Sequence, residues 1–195
     1  MRIDIIVEDS GHELFIRPLI YRLAAERNID VELRVLNAVG GRPKVLEESR
    51  RFVSLNEGLG QGLPDTLVVA TDGNCVGFVQ RRNEINSAVP RQVKELSVVA
   101  IPDPHIERWF LADPQAFQEV VGVAVTAPAR KCDRTFYKNL LAKAVSDAGI
   151  ISTLGGLEMA SDIVTRMDVD QACRNDSSLN NFVRSFRGAL ARFAR

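Results

Sequence analysis

The sequence predicts an α/β protein in which a four-stranded parallel sheet is flanked by helices and followed by a helical C-terminal extension. Four short apolar segments rich in β-branched residues alternate with helical patterns through the N-terminal part of the chain. Such alternation with short connections favours right-handed crossovers in a parallel sheet. Beyond Tyr137 the apolar residues recur at helical spacing, which indicates helices without further strands.

The N-terminal elements follow from local signals. We predict strands at residues 3–7, 31–36, 66–70 and 96–101, because each run is short, apolar and bounded by turn residues. Ser10 and Glu13 fit a capping box, so a helix should begin at Ser10, and Asn28 should end it. A second helix should follow the glycine-rich turn at Gly40 and Gly41.

The remaining elements are predicted to be helical. The pattern from 76 to 95 suits a helix that Pro90 divides. Short helices should begin at His105 and at Pro114, before a basic segment at 128–134. The last helix carries a run of apolar residues at helical spacing: Leu179, Phe182, Val183, Phe186, Leu190 and Phe193. We therefore expect a Rossmann-like α/β domain at 1–122 and a helical extension at 123–195 packed on it.

Composition restricts the class of protein. The 195 residues are 46% hydrophobic and 26% charged, which is ordinary for a soluble globular chain. Lys and Arg together number 25, as do Asp and Glu, so the net charge indicates no nucleic-acid or membrane partner. The three cysteines are widely spaced and suggest neither a disulfide framework nor a zinc site. With no signal peptide and no apolar stretch of membrane-spanning length, we expect a cytoplasmic protein without a membrane partner.

Acidic residues gather where the predicted strands end. Glu8 follows the first strand, Asp72 and Asn74 follow the third, and Asp103 and Glu107 follow the fourth. The carboxyl ends of parallel strands are where open α/β sheets bind ligands. Carboxylate oxygens suit Mg²⁺ or Mn²⁺, and such an ion could activate water and stabilise a phosphodiester transition state. The sequence thus suggests a divalent-metal site at this edge.

Simpler explanations exist for these residues and their neighbours. Acids at strand ends are often solvated, and the capping-box spacing already explains Glu13. Glu107 lies in the first turn of a helix, where negative charge is favourable anyway. His12 and His105 could each act as a general base or contact a phosphate. Lys44, beside Gly40-Gly41 and Arg42, could hold a phosphate at a helix start, although a plain helix entry explains it equally.

Three segments resemble the TOPRIM family, more specifically the small bacterial TOPRIM proteins of the OLD type. The segments are Val7-Glu-Asp-Ser-Gly-His-Glu-Leu-Phe15, Gly40-Gly41-x-x-Lys44 and Pro104-His-Ile-Glu-Arg-Trp-Phe-Leu-Ala-Asp-Pro114. TOPRIM domains place a glutamate after strand one, as Ile5-Ile-Val-Glu8 does. They place an Asp-x-Asp motif after strand three, which Asp72-Gly-Asn74 resembles. The resemblance covers most of the chain.

The resemblance implies a Mg²⁺-dependent nuclease. Glu8 would be a metal ligand or general base, Asp72 the principal metal ligand and Glu107 a further acidic ligand. Relatives are often encoded beside an ATPase of the ABC or AAA kind and are associated with phage defence, so such an ATPase is an expected partner. The expected substrate is nucleic acid, DNA in preference to RNA, and the resemblance leaves a homo-oligomer open.

One departure from the family pattern keeps a second function open. Asn74 replaces the second acid of Asp-x-Asp, so it keeps an oxygen ligand but removes a charge, which puts a two-metal mechanism in doubt. The alternative is a non-catalytic TOPRIM-like adaptor or sensor that binds an ATPase or nucleic acid. The positions that could form a basic rim are Arg81, Arg82, Arg91, Arg130, Lys131 and Arg134.

Two other folds match the residues less well. A response-regulator receiver domain would need a further strand ending in Lys-Pro, which is missing after Ile101. A dinucleotide-binding domain would need Gly-x-Gly-x-x-Gly after the first strand.

Overall fold

The computed structural model of the protein describes residues 1–128, 132–133 and 135–193. Its centre is a parallel sheet with the strand order β2-β1-β3-β4. The strands are β1 (Arg2–Val7), β2 (Glu32–Asn37), β3 (Thr66–Ala70) and β4 (Ser97–Ala100). The predicted α/β class and four-stranded parallel sheet are confirmed.

Helices occupy most of the rest of the described chain. The first six are α1 (Ser10–Ala25), α2 (Arg42–Gly58), α3 (Phe78–Ala88), α4 (Arg91–Lys94), α5 (Glu107–Phe110) and α6 (Pro114–Val121). The extension contains α7 (Phe136–Asp147), a 3₁₀ turn (Leu157–Met159), α8 (Ala160–Arg166), α9 (Val169–Asn175) and α10 (Ser177–Leu190). Pro90 divides α3 from α4, as its missing N–H and fixed φ predict.

The sheet separates two apolar cores. β1 is central, and its residues from Ile3 to Val7 are all buried, which explains its nearly continuous apolar run. Because side chains alternate along a strand, Ile5 faces the core formed with α1 and the C-terminal helices, whereas Ile6 faces the core formed with α2 and α3. Both faces are therefore covered, and the carboxyl ends of the strands are left for a site.

The N-terminus of α1 differs from the capping box that the sequence suggested. Asp9 is the N-cap, since its Oδ1 accepts the backbone N–H of His12 at 3.1 Å, and Ser10 is already helical. Glu13 lies 3.0 Å from Arg17 in an i,i+4 ion pair. The predicted helix start at Ser10 is confirmed, whereas the predicted capping box is wrong, because Asp9 caps α1 and also contacts the His12 ring.

The extension shares its core with the sheet. The Phe182 ring of α10 stacks on the Trp109 ring of the N-terminal part, with centroids 5.8 Å apart, and Trp109 Nε1 donates to Ser178 Oγ at 2.8 Å. Both rings are fully buried. The predicted boundary between 122 and 123 thus crosses one continuous apolar core.

The described residues include no helix with the length and apolar character needed to cross a membrane. In the predicted basic segment, Arg130, Lys131 and Arg134 lie outside the described residues.

Candidate active site at the carboxyl ends of the strands

Glu8 and Asp72 meet at the carboxyl edge of the sheet. The neighbouring strands β1 and β3 end level with each other, since Val7 is in register with Ala70. Oε2 of Glu8 accepts the backbone N–H of Asp72 at 3.1 Å and the hydroxyl of Thr71, while Oε1 accepts the N–H of Arg42 at 3.2 Å. The two carboxylates expected from the sequence are therefore brought together.

The carboxylate of Asp72 is held by two imidazoles and a backbone amide. Oδ2 lies 3.1 Å from Nδ1 of His105, and Oδ1 accepts the N–H of Ile106 at 2.9 Å. Nε2 of His12 lies 3.2 Å from Oδ1, an ion-pair contact without hydrogen-bond geometry. Burial by itself would raise the pKa of Asp72, but the His12 charge and the His105 hydrogen bond hold it below its ordinary value.

His12 links Asp72 to Asp9. The ring is fully buried, and its Nδ1 lies 2.9 Å from Oδ1 of Asp9. Burial opposes the charged imidazole, but Asp72 and Asp9 outweigh it and raise the pKa of His12 from 6.5 to about 10. Burial likewise opposes the Asp9 carboxylate, and the hydrogen bond and charge of His12 lower the pKa of Asp9 to about 2. At neutral pH His12 is therefore a buried cation between two anions.

His105 and Glu107 complete the cluster. The hydrogen bond to Asp72 raises the pKa of His105 against the opposing effect of burial. Burial raises the pKa of Glu107, and the negative charge of Asp72 adds to the rise. Nε2 of His105 is buried and has no hydrogen-bond partner among the described residues. The two groups thus titrate beside Asp72 with shifted pKa values, as acid–base groups in active sites often do.

A buried arginine supports the end of β3. Arg81 of α3 donates through Nε to the carbonyl of Asp72 at 3.0 Å and through Nη2 to the carbonyl of Gly73 at 3.3 Å. Its Nη1 contacts Glu84, which also lies 3.0 Å from Nη1 of Arg42. Arg81 is 3% exposed, so it does not contribute to the basic rim that the sequence left open. Its guanidinium is committed to backbone carbonyls and to Glu84.

The tip of β3 also contacts the tip of β4. The N–H of Gly73 donates to the carbonyl of Pro102 at 2.7 Å, and that of Asn74 donates to the carbonyl of Pro104 at 3.0 Å. Asn74 is exposed with φ +46°, a left-handed conformation in which asparagine is enriched. Asp103 lies against Gly73. Backbone geometry therefore accounts for an asparagine here independently of any metal.

Two sequence candidates do not join the cluster. Glu13 forms an ion pair with Arg17 on the surface of α1. The Lys44 ammonium lies 2.8 Å from Glu48 and 3.0 Å from Glu47 of its own helix. The backbone N–H of Arg42, at the start of α2, donates to Glu8 and is therefore not left for a phosphate.

Sequence reasoning missed four contributors: Asp9, Thr71, Arg81 and Glu84. The Asp9-x-x-His12 spacing is a signal that was available, because an N-cap side chain accepts the N–H three residues on. Thr71 directly precedes Asp72, so its place at the strand end could also have been read. Nothing in the local sequence indicates that Arg81 and Glu84 reach the tip of β3.

A pocket of about 430 Å³ adjoins the cluster, and the extension forms part of its wall. Its lining includes Asp9 and Glu107 from the N-terminal part, and Lys138 of α7 and residues 153–155 from the extension. Glu158 orders that segment, since its carboxylate accepts the N–H groups of Thr153 at 3.0 Å and Gly156 at 3.1 Å. The C-terminal helices therefore help to enclose the cluster.

The oxygen atoms at this edge of the sheet are of the chemical type that a hard divalent ion binds. Glu8 and Asp72 offer carboxylates, the ligands that Mg²⁺ prefers. Protein donors nevertheless engage all four of their oxygens. Among the residues that the structure describes, no group of three or more His, Cys, Asp or Glu side chains is arranged to hold a metal ion. The donor chemistry suits Mg²⁺, while the arrangement is not a complete metal centre.

Comparison of the chain with protein-family models finds no match, and the searches of curated proteins and of solved structures find none either.

Proposed function

We propose that the protein is a Mg²⁺-dependent nuclease of the TOPRIM type that hydrolyses phosphodiester bonds. The observation that carries the proposal is the hydrogen bond from the backbone N–H of Asp72 to Glu8, which joins the two strand-end acids at one edge. Glu107 lies close enough for the charge of Asp72 to raise its pKa. The Glu8 and Asp72-x-Asn74 positions are those in which the chain resembles TOPRIM nucleases.

The proposed roles follow from the contacts. Glu8 and Asp72, with Asn74 nearby, would hold Mg²⁺ or Mn²⁺, and the bound ion would supply Lewis-acid stabilisation of the phosphodiester charge. His105 is positioned by Asp72, and its Nε2, which has no hydrogen-bond partner among the residues that the structure describes, would donate to a substrate oxygen. Glu107, whose pKa burial raises above its ordinary value, would act as the general acid or base.

The resemblance also supplies the proposed setting. An ATPase of the ABC or AAA kind is the proposed partner, in phage defence within the cytoplasm. DNA is the proposed substrate in preference to RNA. Asn74 motivates the alternative function, a non-catalytic adaptor or sensor that binds such an ATPase or nucleic acid.

Two conservative variants test the proposal. We expect the purified protein to cleave DNA in Mg²⁺ or Mn²⁺ and to lose this activity in EDTA. Glu8→Gln and Asp72→Asn should each lower the rate about a hundredfold or more, because each removes a carboxylate at the reacting centre. Glu13→Gln is the matched control, since Glu13 lies outside the cluster, and it should cleave at the wild-type rate.

The measurement is gel-resolved cleavage of supercoiled plasmid and of single-stranded RNA, with thermal unfolding to verify that each variant is folded. Cleavage that both cluster variants retain would contradict the nuclease proposal. If the wild-type protein cleaves neither nucleic acid, alone or with its co-encoded ATPase, the adaptor becomes the better function.

A further inference from the structure

A groove runs between α2 and α3 on the face of the sheet opposite the extension. It encloses a volume of about 710 Å³ and is open to solvent. Arg42 and Arg50 line it from α2, and Gln80 and Asn83 line it from α3. The groove adjoins the candidate active site at Arg42, whose backbone N–H donates to Glu8 at 3.2 Å.

The groove carries local positive charge in a chain whose net charge is zero. Glu84 is the acidic residue that lines the groove. Its carboxylate forms ion pairs with the guanidinium groups of Arg42 and the buried Arg81. Arg50 is exposed and has no ion-pair partner among the described residues. The guanidinium groups therefore outnumber the carboxylate that they face, which is the charge pattern that attracts phosphates.

The spacing of the arginines suits an extended polyanion. Arg42 and Arg50 are eight positions apart on α2, so they lie about 12 Å apart along the helix axis. Their guanidinium groups can therefore contact separate phosphates. The carboxamides of Gln80 and Asn83 on the facing wall can donate to phosphate or base oxygens.

The groove also offers apolar surface. Val76 and Val79 line it and are 43% and 61% exposed, respectively. Val76 and Val79 can make apolar contacts with the faces of unpaired bases, whereas a duplex keeps its bases stacked inside and presents its phosphates outward. A single strand therefore fits this surface better than a duplex.

We propose that the groove between α2 and α3 binds one single strand of nucleic acid, with Arg50 and Arg42 on its phosphates, and leads that strand to Glu8 and Asp72. That the bound strand is then cleaved at Glu8 and Asp72 rests on the proposed function. Binding to the groove is a separate property that can be measured without cleavage.

Binding is measured by fluorescence anisotropy with labelled oligothymidine and oligouridine single strands of about 20 nucleotides, in EDTA, over a range of salt. Arg50→Ala should weaken binding about threefold or more and lower the slope of log affinity against log salt by about 0.7. Arg50→Glu should weaken it further. Gln80→Glu, which places a negative charge on the other wall, should also weaken binding.

The matched control is Arg184→Ala, which removes an exposed arginine from α10 on the other face of the sheet. This variant should bind as the wild-type protein does. Equal affinities of wild type, Arg50→Glu and Gln80→Glu would overturn the proposal, as would a wild-type protein that binds neither strand. In the latter case an acidic segment of a protein partner would become the better occupant of the groove.

Cleavage assays on the same variants separate this proposal from the nuclease proposal. Arg50-dependent binding without Glu8-dependent cleavage would support the groove and contradict the nuclease. Glu8-dependent cleavage with Arg50-independent binding would support the nuclease and contradict the groove.

Discussion

At the scale of single residues, the most unusual group is the fully buried His12 between Asp9 and Asp72. Its ordinary pKa is 6.5, and in the folded protein it is about 10. A group whose pKa rises on folding stabilises the native state fully below its unfolded pKa and loses that contribution as pH rises through its folded pKa. The His12 contribution should therefore be present below about pH 6.5 and disappear towards pH 10.

We predict that the free energy of unfolding of the metal-free protein falls between pH 6.5 and 10 by about 1 kcal/mol per pH unit through His12. In His12→Gln this slope should be absent. The measurement is urea unfolding at several pH values in EDTA, and the readout is the difference between the two profiles. Parallel profiles above pH 6.5 would show that His12 carries no proton in the folded state.

Asp9 defines the acid limit of the same interaction. Its pKa falls from 3.8 to about 2 on folding, so its contribution is present above pH 3.8 and lost as pH falls through 2. The Asp9–His12 pair should thus stabilise the protein most between about pH 4 and 6.5.

At the scale of elements, the site depends on how closely the tips of β3 and β4 approach each other. Gly73 lies where they meet, and a Cβ there would be 3.0 Å from both Oδ1 of Asp103 and the carbonyl oxygen of Pro102. The Pro102 carbonyl is backbone and cannot rotate away as a side chain would. A larger residue at 73 would therefore move the loop that carries Asp72.

We predict that Gly73→Ala lowers the melting temperature and reduces cleavage at least tenfold, because misplacing catalytic groups is costly. Gly58→Ala is the control, since Gly58 is the last residue of α2 and nothing lies within 4 Å of the added Cβ. It should be neutral or stabilise α2 by up to about 1 kcal/mol. Wild-type activity in Gly73→Ala would show that the two tips tolerate separation.

At the scale of the whole molecule, the C-terminal helices and the sheet share one apolar core. Trp109 stacks on Phe182, and Phe15 of α1 lies 5.9 Å from the Trp109 ring, measured between centroids. Lys138 of the extension lines the pocket beside Glu107. Folding of the extension should therefore be coupled to folding of the sheet.

We predict one cooperative unfolding transition. The fluorescence of Trp109, the single tryptophan, and the far-UV circular dichroism should change together in urea. Phe182→Ala should lower the free energy of unfolding by about 3–5 kcal/mol, because it leaves a cavity in the shared core. Both signals should report the same decrease. The exposed neighbour variant Arg184→Ala should have little effect. Two separate transitions would instead support independent units at 1–122 and 123–195.

Much of the fold could be predicted from local sequence because its signals are local. Apolar runs predicted the ends of all four strands to within one residue, which is inside the ordinary uncertainty of such boundaries. Pro90 predicted the division between α3 and α4. The helix start at Ser10 was predicted correctly, but the capping box was wrong because Asp9 caps α1. The sequence left open whether Arg81 is exposed, because its partners are backbone carbonyls at the β3 tip.

The sequence by itself determined the α/β class and the edge at which Glu8, Asp72 and Glu107 gather, because strand patterns and strand-end acids are properties of short segments. Tertiary structure decided how those acids are held. His105 contacts Asp72 across 33 residues of chain, and Arg42 donates to Glu8 across 34. Such contacts depend on the order of the strands and the placement of the helices beside them, which bring distant residues together and have no local signal in the chain.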